Sequence, residues 1–184
     1  MTAAADLDDT KHRTDRVPGR YHSSQRALHW LVVVLVVFQF LTGGQMEAAF
    51  LLRDVQPLNL AGPVWVHGTI GLSILAAMLG RAGLRARYGA PPPPSDEPRP
   101  VQWLSRGTHY AFYVVLILMP IAGLVAVLSG NPTIAWAHGV TAYVLLALAA
   151  LHVAGALWHA FKRDGVATRM LGRDPAEKDM ARTD

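Results

Sequence analysis

The sequence predicts an all-α membrane protein, a four-transmembrane-helix up-down bundle with both termini cytoplasmic. Three observations predict it. Residues 27–48, 63–84, 109–130 and 133–161 are almost free of charge. At about 1.5 Å per residue, each is long enough to cross a hydrocarbon core of roughly 30 Å. Sixteen of the seventeen Lys and Arg residues fall on one side of the bundle so drawn. Each span also carries a histidine near one end, and the fourth carries three.

The 184 residues are 52% hydrophobic, with a mean hydropathy of +0.24. A soluble domain can have that fraction, but not this distribution of it. The pI near 9.8 follows from the loops. Lys11, Arg13, Arg16, Arg20 and Arg26 precede span one. Arg81, Arg85, Arg87, Arg99 and Arg106 lie between the cores of spans two and three. Lys162, Arg163, Arg169, Arg173, Lys178 and Arg182 follow span four, and Arg53 alone lies elsewhere. The positive-inside rule makes the basic side cytoplasmic. The charge is therefore topological, and nucleic-acid binding has no place in the account. There is no cysteine. Disulfides, iron–sulfur clusters, thiolate haem ligation and covalent c-type haem attachment are excluded.

Residues 1–20 read as a disordered cytoplasmic tail without the apolar core of a signal peptide. Residues 21–165 form the bundle, and 166–184 a C-terminal cytoplasmic tail. Ser23 and Ser24 are candidate caps for span one, which is expected to end near Gly43 and Gly44. The loop 49–62 is external, and its apolar start, Ala48–Leu52, suits the membrane interface. Pro63 suits the first position of span two, which is expected to end near Gly83. The run Ala90–Pro94, with Pro98 and Pro100, reads as a stiff linker. Span three is expected to start between Val101 and Ser105 and to kink at Pro120, ahead of Gly123. The turn Ser129–Pro132 is short, so spans three and four form an antiparallel hairpin. Span four runs from about Thr133 to Phe161. Trp30, Trp65, Trp103, Trp136 and Trp158 sit near span ends, as an interfacial belt does.

A histidine inside a span is costly without a partner and marks a functional site. On span four, His138 and His152 are separated by about 21 Å of axis and lie within about 40° of one face. His159 continues the stripe one heptad on. His67 lies at the outer depth of His138, so these two can share a layer. His29 lies at the inner depth and needs a partner from His152 or His159. A haem at His159 would stand roughly 31 Å from one at His138. That leaves both near the surfaces with slow transfer between them. His29 is therefore paired with His152. The shared partner expected for each pair is haem iron, which takes an imidazole on each face. Gly68, Gly71, Gly139 and Gly155 remove bulk where a porphyrin could press, or serve helix packing. His109 and His159, at the cytoplasmic rim, are candidates for haem propionates, a quinone headgroup or a proton. His22 lies outside the core and is expected to be solvated.

These residues resemble the bacterial cytochrome b561 family. The resemblance rests on Arg26-Ala-Leu-His29-Trp30, on His67-Gly-Thr-Ile-Gly71, and on His109 through Pro120-Ile-Ala-Gly123. In span four it rests on His138, His152, His159 and Lys162-Arg163. It covers residues 21 to about 172. It implies a multi-pass protein of the bacterial inner membrane with two b haems, ligated by His29 with His152 and by His67 with His138. It implies electron transfer between a periplasmic donor, in some members superoxide, and ubiquinone, with His159 at the quinone site. The external loops offer an anion Arg53 alone, offset by Glu47 and Asp54, so they steer superoxide weakly. Two other readings use the same residues. One is a membrane-anchor cytochrome subunit of a dehydrogenase or hydrogenase. The other is a haem-free carrier whose histidine stripe lines a proton or metal path.

Overall fold

The computed structural model describes residues 21–52, 62–92 and 97–171. Its four long helices are α1 (Ser23–Leu51), α2 (Pro63–Tyr88), α3 (Arg99–Ser129) and α4 (Pro132–Lys162), followed by a short α5 (Thr168–Leu171). All four long helices have the length and apolar composition to cross a membrane. No strand occurs among the described residues. Neighbours in sequence pack together, α1 on α2, α2 on α3 and α3 on α4. The tail 1–20, the loop residues Arg53 and Asp54, Pro93 and Pro94 of the linker, and the tail beyond 171 lie outside the described residues.

Local chemistry sets the helix ends. His22 caps α1: its ring accepts from the Ser24 amide, and its own amide donates to the Gln25 side chain at 3.1 Å. This reciprocal box satisfies two amide groups that the helix leaves free. The expectation that Ser23 or Ser24 caps the helix is thus displaced by one position. Nor is His22 simply solvated, because its ring stacks on Tyr88 at 4.5 Å. Pro63 opens α2 and Pro132 opens α4, each where a missing amide hydrogen costs nothing. Asn131 caps α4 through its side-chain oxygen, which accepts from Thr133 at 2.9 Å and Ile134 at 3.3 Å. Gly130 ends α3 in the left-handed region, at φ 64°. That conformation makes the tight α3–α4 hairpin.

Three ends differ from expectation. α1 continues past Gly43 and Gly44 to Leu51, and α2 continues past Gly83 to Tyr88. A helical glycine costs about 1 kcal/mol. An unpaired backbone amide in an apolar medium costs several. Glycine alone therefore does not stop a helix at this depth. α3 starts at Arg99, ahead of Val101, and runs through Pro120.

The bundle is open compared with a soluble one. In its apolar window α2 is 28% buried, whereas α1 and α4 are each 6% buried. α2 is therefore the central helix, and most apolar side chains point outward, as lipid-facing residues do. All five tryptophans are exposed on the outside. One apolar cluster fills the middle, made by Val32 of α1, Ile74, Ala77 and Met78 of α2, Leu116 of α3 and Leu145 of α4. Leu145 is seven residues from both His138 and His152, or about 10 Å along the axis from each. The plug therefore separates two histidine layers.

Candidate haem centres

The structure brings the histidines together in pairs. His29 of α1 faces His152 of α4, with ring centres 6.2 Å apart. His67 of α2 faces His138 of α4 at 6.1 Å. Two imidazoles bonded at about 2.0 Å to opposite faces of one metal ion have ring centres about 6.2 Å apart. Both pairs match that span. The helices that carry them are not closely packed on one another, since α4 packs closely on α3 alone. A methyl group placed at Gly68, Gly139 or Gly155 would meet no other atom. These glycines are exposed, so they add no bulk near the histidine layers. Gly71 differs, because the Gln39 side chain already occupies its flank at 3.4 Å. The residues present therefore fit haem at both layers.

His109 of α3 also approaches His152, at 5.2 Å with the rings perpendicular. That distance is short for opposite faces of one metal and long for adjacent positions, which would be about 4.4 Å. His109 Nδ1 instead pairs with the Ser105 carbonyl at 2.7 Å. Phe112 completes an aromatic wall around His152, at 5.5 Å. A small cavity of about 80 Å³ lies between α3 and α4 at this wall, lined by Ser105, Thr108, His109 and His152 among others. Among the described residues, no group of three or more His, Cys, Asp or Glu is placed to hold a metal ion together. The arrangement is of pairs.

The far pair has supports that the sequence did not reveal. His138 Nδ1 sits 3.0 Å from the Met119 carbonyl of α3. Donation there leaves Nε2 with its lone pair free for a metal and fixes the ring's orientation. Gly123 makes that approach possible. A β-carbon at Gly123 would lie 2.9 Å from Cε1 and 3.1 Å from Nδ1 of His138. The Pro120–Gly123 spacing signals a kink, and nothing in it signals a seat for a ring on another helix.

The basic end is tied together by polar contacts. His159 sits between two carboxylates, with Nδ1 2.6 Å from Asp164 and Nε2 3.2 Å from Glu97. The Glu97 contact is at ion-pair distance and lacks hydrogen-bond alignment. Residues after α4 fold back over this end. Trp30 donates to the Met170 carbonyl at 3.2 Å, and Arg169 donates to the Pro92 carbonyl at 2.8 Å. Gln25, buried, bridges from α1 to the Gly89 carbonyl at 3.0 Å, and Arg81 returns a bond to the Gln25 carbonyl at 3.0 Å. Glu97 and Asp164 escaped the sequence reading. The available signal was an acid on a face otherwise crowded with Lys and Arg.

An all-helical membrane bundle with two facing imidazole pairs in separate layers is the architecture of a membrane cytochrome b. The chain belongs to the prokaryotic cytochrome b561 family, whose model matches residues 20–173. Among its relatives is cytochrome b562 of Cereibacter sphaeroides, 29% identical over 157 residues, covering 84% of this chain and 96% of that one. A probable superoxide oxidase, CybB, of Yersinia pestis is 30% identical over 107 residues. That match covers 57% of this chain and spans 56% of the relative's length. The protein is thus a haem-binding, multi-pass electron-transport protein of the inner membrane.

Proposed function

We propose that the chain is a dihaem cytochrome b that passes electrons across the inner membrane, from a periplasmic donor to the ubiquinone pool. The observation that carries this reading is the two imidazole spans, 6.2 and 6.1 Å, that both end on α4. His67 and His138 would hold one b haem, and His29 and His152 the other. When bound, haem iron supplies the one-electron chemistry that no side chain here can provide.

The residues divide the remaining work. The four imidazoles hold the centres, and Met119 orients His138. The apolar plug around Leu145 keeps water out between the layers. The basic end faces the cytoplasm on the lysine and arginine count, which places His29 and His152 inward and both termini inside. His159 lies one heptad beyond His152 and is the candidate quinone contact. Full reduction of a quinone takes up two protons with its two electrons. The hydrogen bond to Asp164 and the ion-pair-distance contact with Glu97 hold the His159 imidazole in place where it can relay a proton. The likeness to a probable superoxide oxidase makes superoxide one candidate donor at the far end.

The test is a reduced-minus-oxidised visible spectrum of the detergent-purified protein with pyridine haemochrome quantitation. A ubiquinone analogue is then added to the dithionite-reduced, desalted sample. Two low-spin b haems per chain, reoxidised by the quinone, are expected. One haem or none overturns the dihaem reading, and reduced haem that ignores quinone overturns the acceptor.

A further inference from the structure

Gln39 is a polar residue in the middle of apolar α1, about three turns or more from either end of the helix. Its side-chain Nε2 donates to the backbone carbonyl of His67 on α2, at 3.1 Å. The same nitrogen lies 3.4 Å from the place a Gly71 side chain would start. Gly71 is one turn after His67, so the amide lies against α2 beside the histidine. Two fully buried polar atoms at this spot lack a hydrogen-bond partner, Gln39 Oε1 and His67 Nδ1. They are complementary. An amide oxygen accepts, and Nδ1 of a neutral imidazole that binds metal through Nε2 donates.

The other member of the pair shows what is missing. His138 engages the Met119 carbonyl through Nδ1. His67 has no such carbonyl in reach. Buried donors and acceptors rarely stay unpaired, and metal-bound imidazoles almost always donate their second nitrogen.

We infer that Gln39 is the positioning residue for His67, its amide oxygen accepting the Nδ1 proton and so setting the orientation and basicity of that ligand. The inference rests on the reading that His67 and His138 hold a haem. The hydrogen bond gives the imidazole partial anionic character, which stabilises ferric over ferrous iron. Removing it therefore raises the midpoint potential of that centre.

The experiment uses the purified holoprotein with Gln39→Leu and Gln39→Glu. Haem content, a redox titration resolving both centres, and the low-spin ferric EPR signals are read together. The His67/His138 centre is assigned by its disappearance in His138→Ala. Gln39→Leu is expected to keep two haems, raise the potential of that centre alone and shift its EPR signal alone. Gln39→Glu, which keeps an acceptor and adds charge, is expected to move the same centre the opposite way. Two haems with unchanged potentials in both variants, or equal shifts in both centres, overturn the inference. If Gln39→Leu does not fold, the Gln39→Glu result decides alone. A wild-type protein without haem at this pair overturns the dihaem reading instead, so the two failures are distinguishable.

Discussion

Gly123 of α3 seats the ring of His138 of α4: a single added β-carbon would lie 2.9 Å from His138 Cε1. No real side chain sits that close, so Gly123→Ala must displace the imidazole or part the α3–α4 hairpin. The expected outcome is loss of one haem per chain, with the His29/His152 centre retained. Pyridine haemochrome quantitation of the purified variant reads it. Gly83→Ala is the control, because a methyl group there meets no other atom. Two retained haems in Gly123→Ala would show that this close approach is not needed to hold the haem.

The pairing itself makes a sharper prediction. His67→Ala or His138→Ala is expected to remove one b haem and leave the other spectrally intact. His29→Ala or His152→Ala is expected to do the reverse. The layers are separated by the Leu145 plug, so loss at one should not propagate to the other. Difference spectra with haem quantitation on the four variants check this. Any single variant with two intact haems breaks the scheme.

Depth and face were legible in the sequence, and contacts between helices were not. The spacing of His138 and His152 sets their common face and their separation, because both depend only on helix geometry. Depth pointed to His138 as the partner of His67, whereas the pairing of His29 with His152 needed the distance between haems as well. Ring centres in the His29–His152 and His67–His138 pairs lie 6.2 and 6.1 Å apart. Gln39, Gly123, Glu97 and Asp164 did not follow. Their roles depend on how each helix is rotated, and a helix that is apolar all round gives no stripe from which to read rotation. His22 was missed for a different reason. Histidine is an uncommon cap, and its stacking partner Tyr88 is 66 residues away in sequence. The glycine-based helix ends failed because a bilayer penalises open backbone more than glycine does.

His109 tests whether proximity or span decides ligation. It is nearer to His152 than His29 is, 5.2 against 6.2 Å. If span decides, His109→Ala keeps both haems and perturbs the spectrum of one, because its ring packs edge-on against His152. If His109 were the ligand, the variant would lose a haem and His29→Ala would not. Haem quantitation on the two variants separates these outcomes.

The docked C-terminal segment carries a pH dependence with a definite sign. Burial by itself raises the Asp164 carboxyl. The hydrogen bonds from His159 and the Val166 amide, with the charges of His159 and Lys162, outweigh it and hold the group below its ordinary value. A carboxyl depressed in the folded state contributes stability above the unfolded value, and that contribution fades as pH falls through the folded one. Hydrogen-exchange protection of residues 164–171 is therefore expected to hold at neutral pH and to drop below the ordinary carboxylate range. Asp164→Asn should lower protection at neutral pH and flatten the dependence. An unchanged protection profile in the variant would show that the segment is docked without this contact.

His159 is the place where the electron-transfer and docking roles can be told apart. His159→Ala is expected to retain two haems, because neither imidazole pair includes it. If His159 serves only to clamp Glu97 and Asp164, the variant loosens residues 164–171 and leaves quinone-dependent reoxidation of the reduced protein unchanged. If it contacts the quinone, reoxidation slows by about 10²-fold or more, the usual scale for losing a positioned proton donor. Asp164→Asn supplies the comparison, since it removes one side of the clamp while leaving the imidazole in place. The proposed quinone role requires His159→Ala to be much slower than Asp164→Asn. Equal rates in the two variants would reduce His159 to a structural clamp.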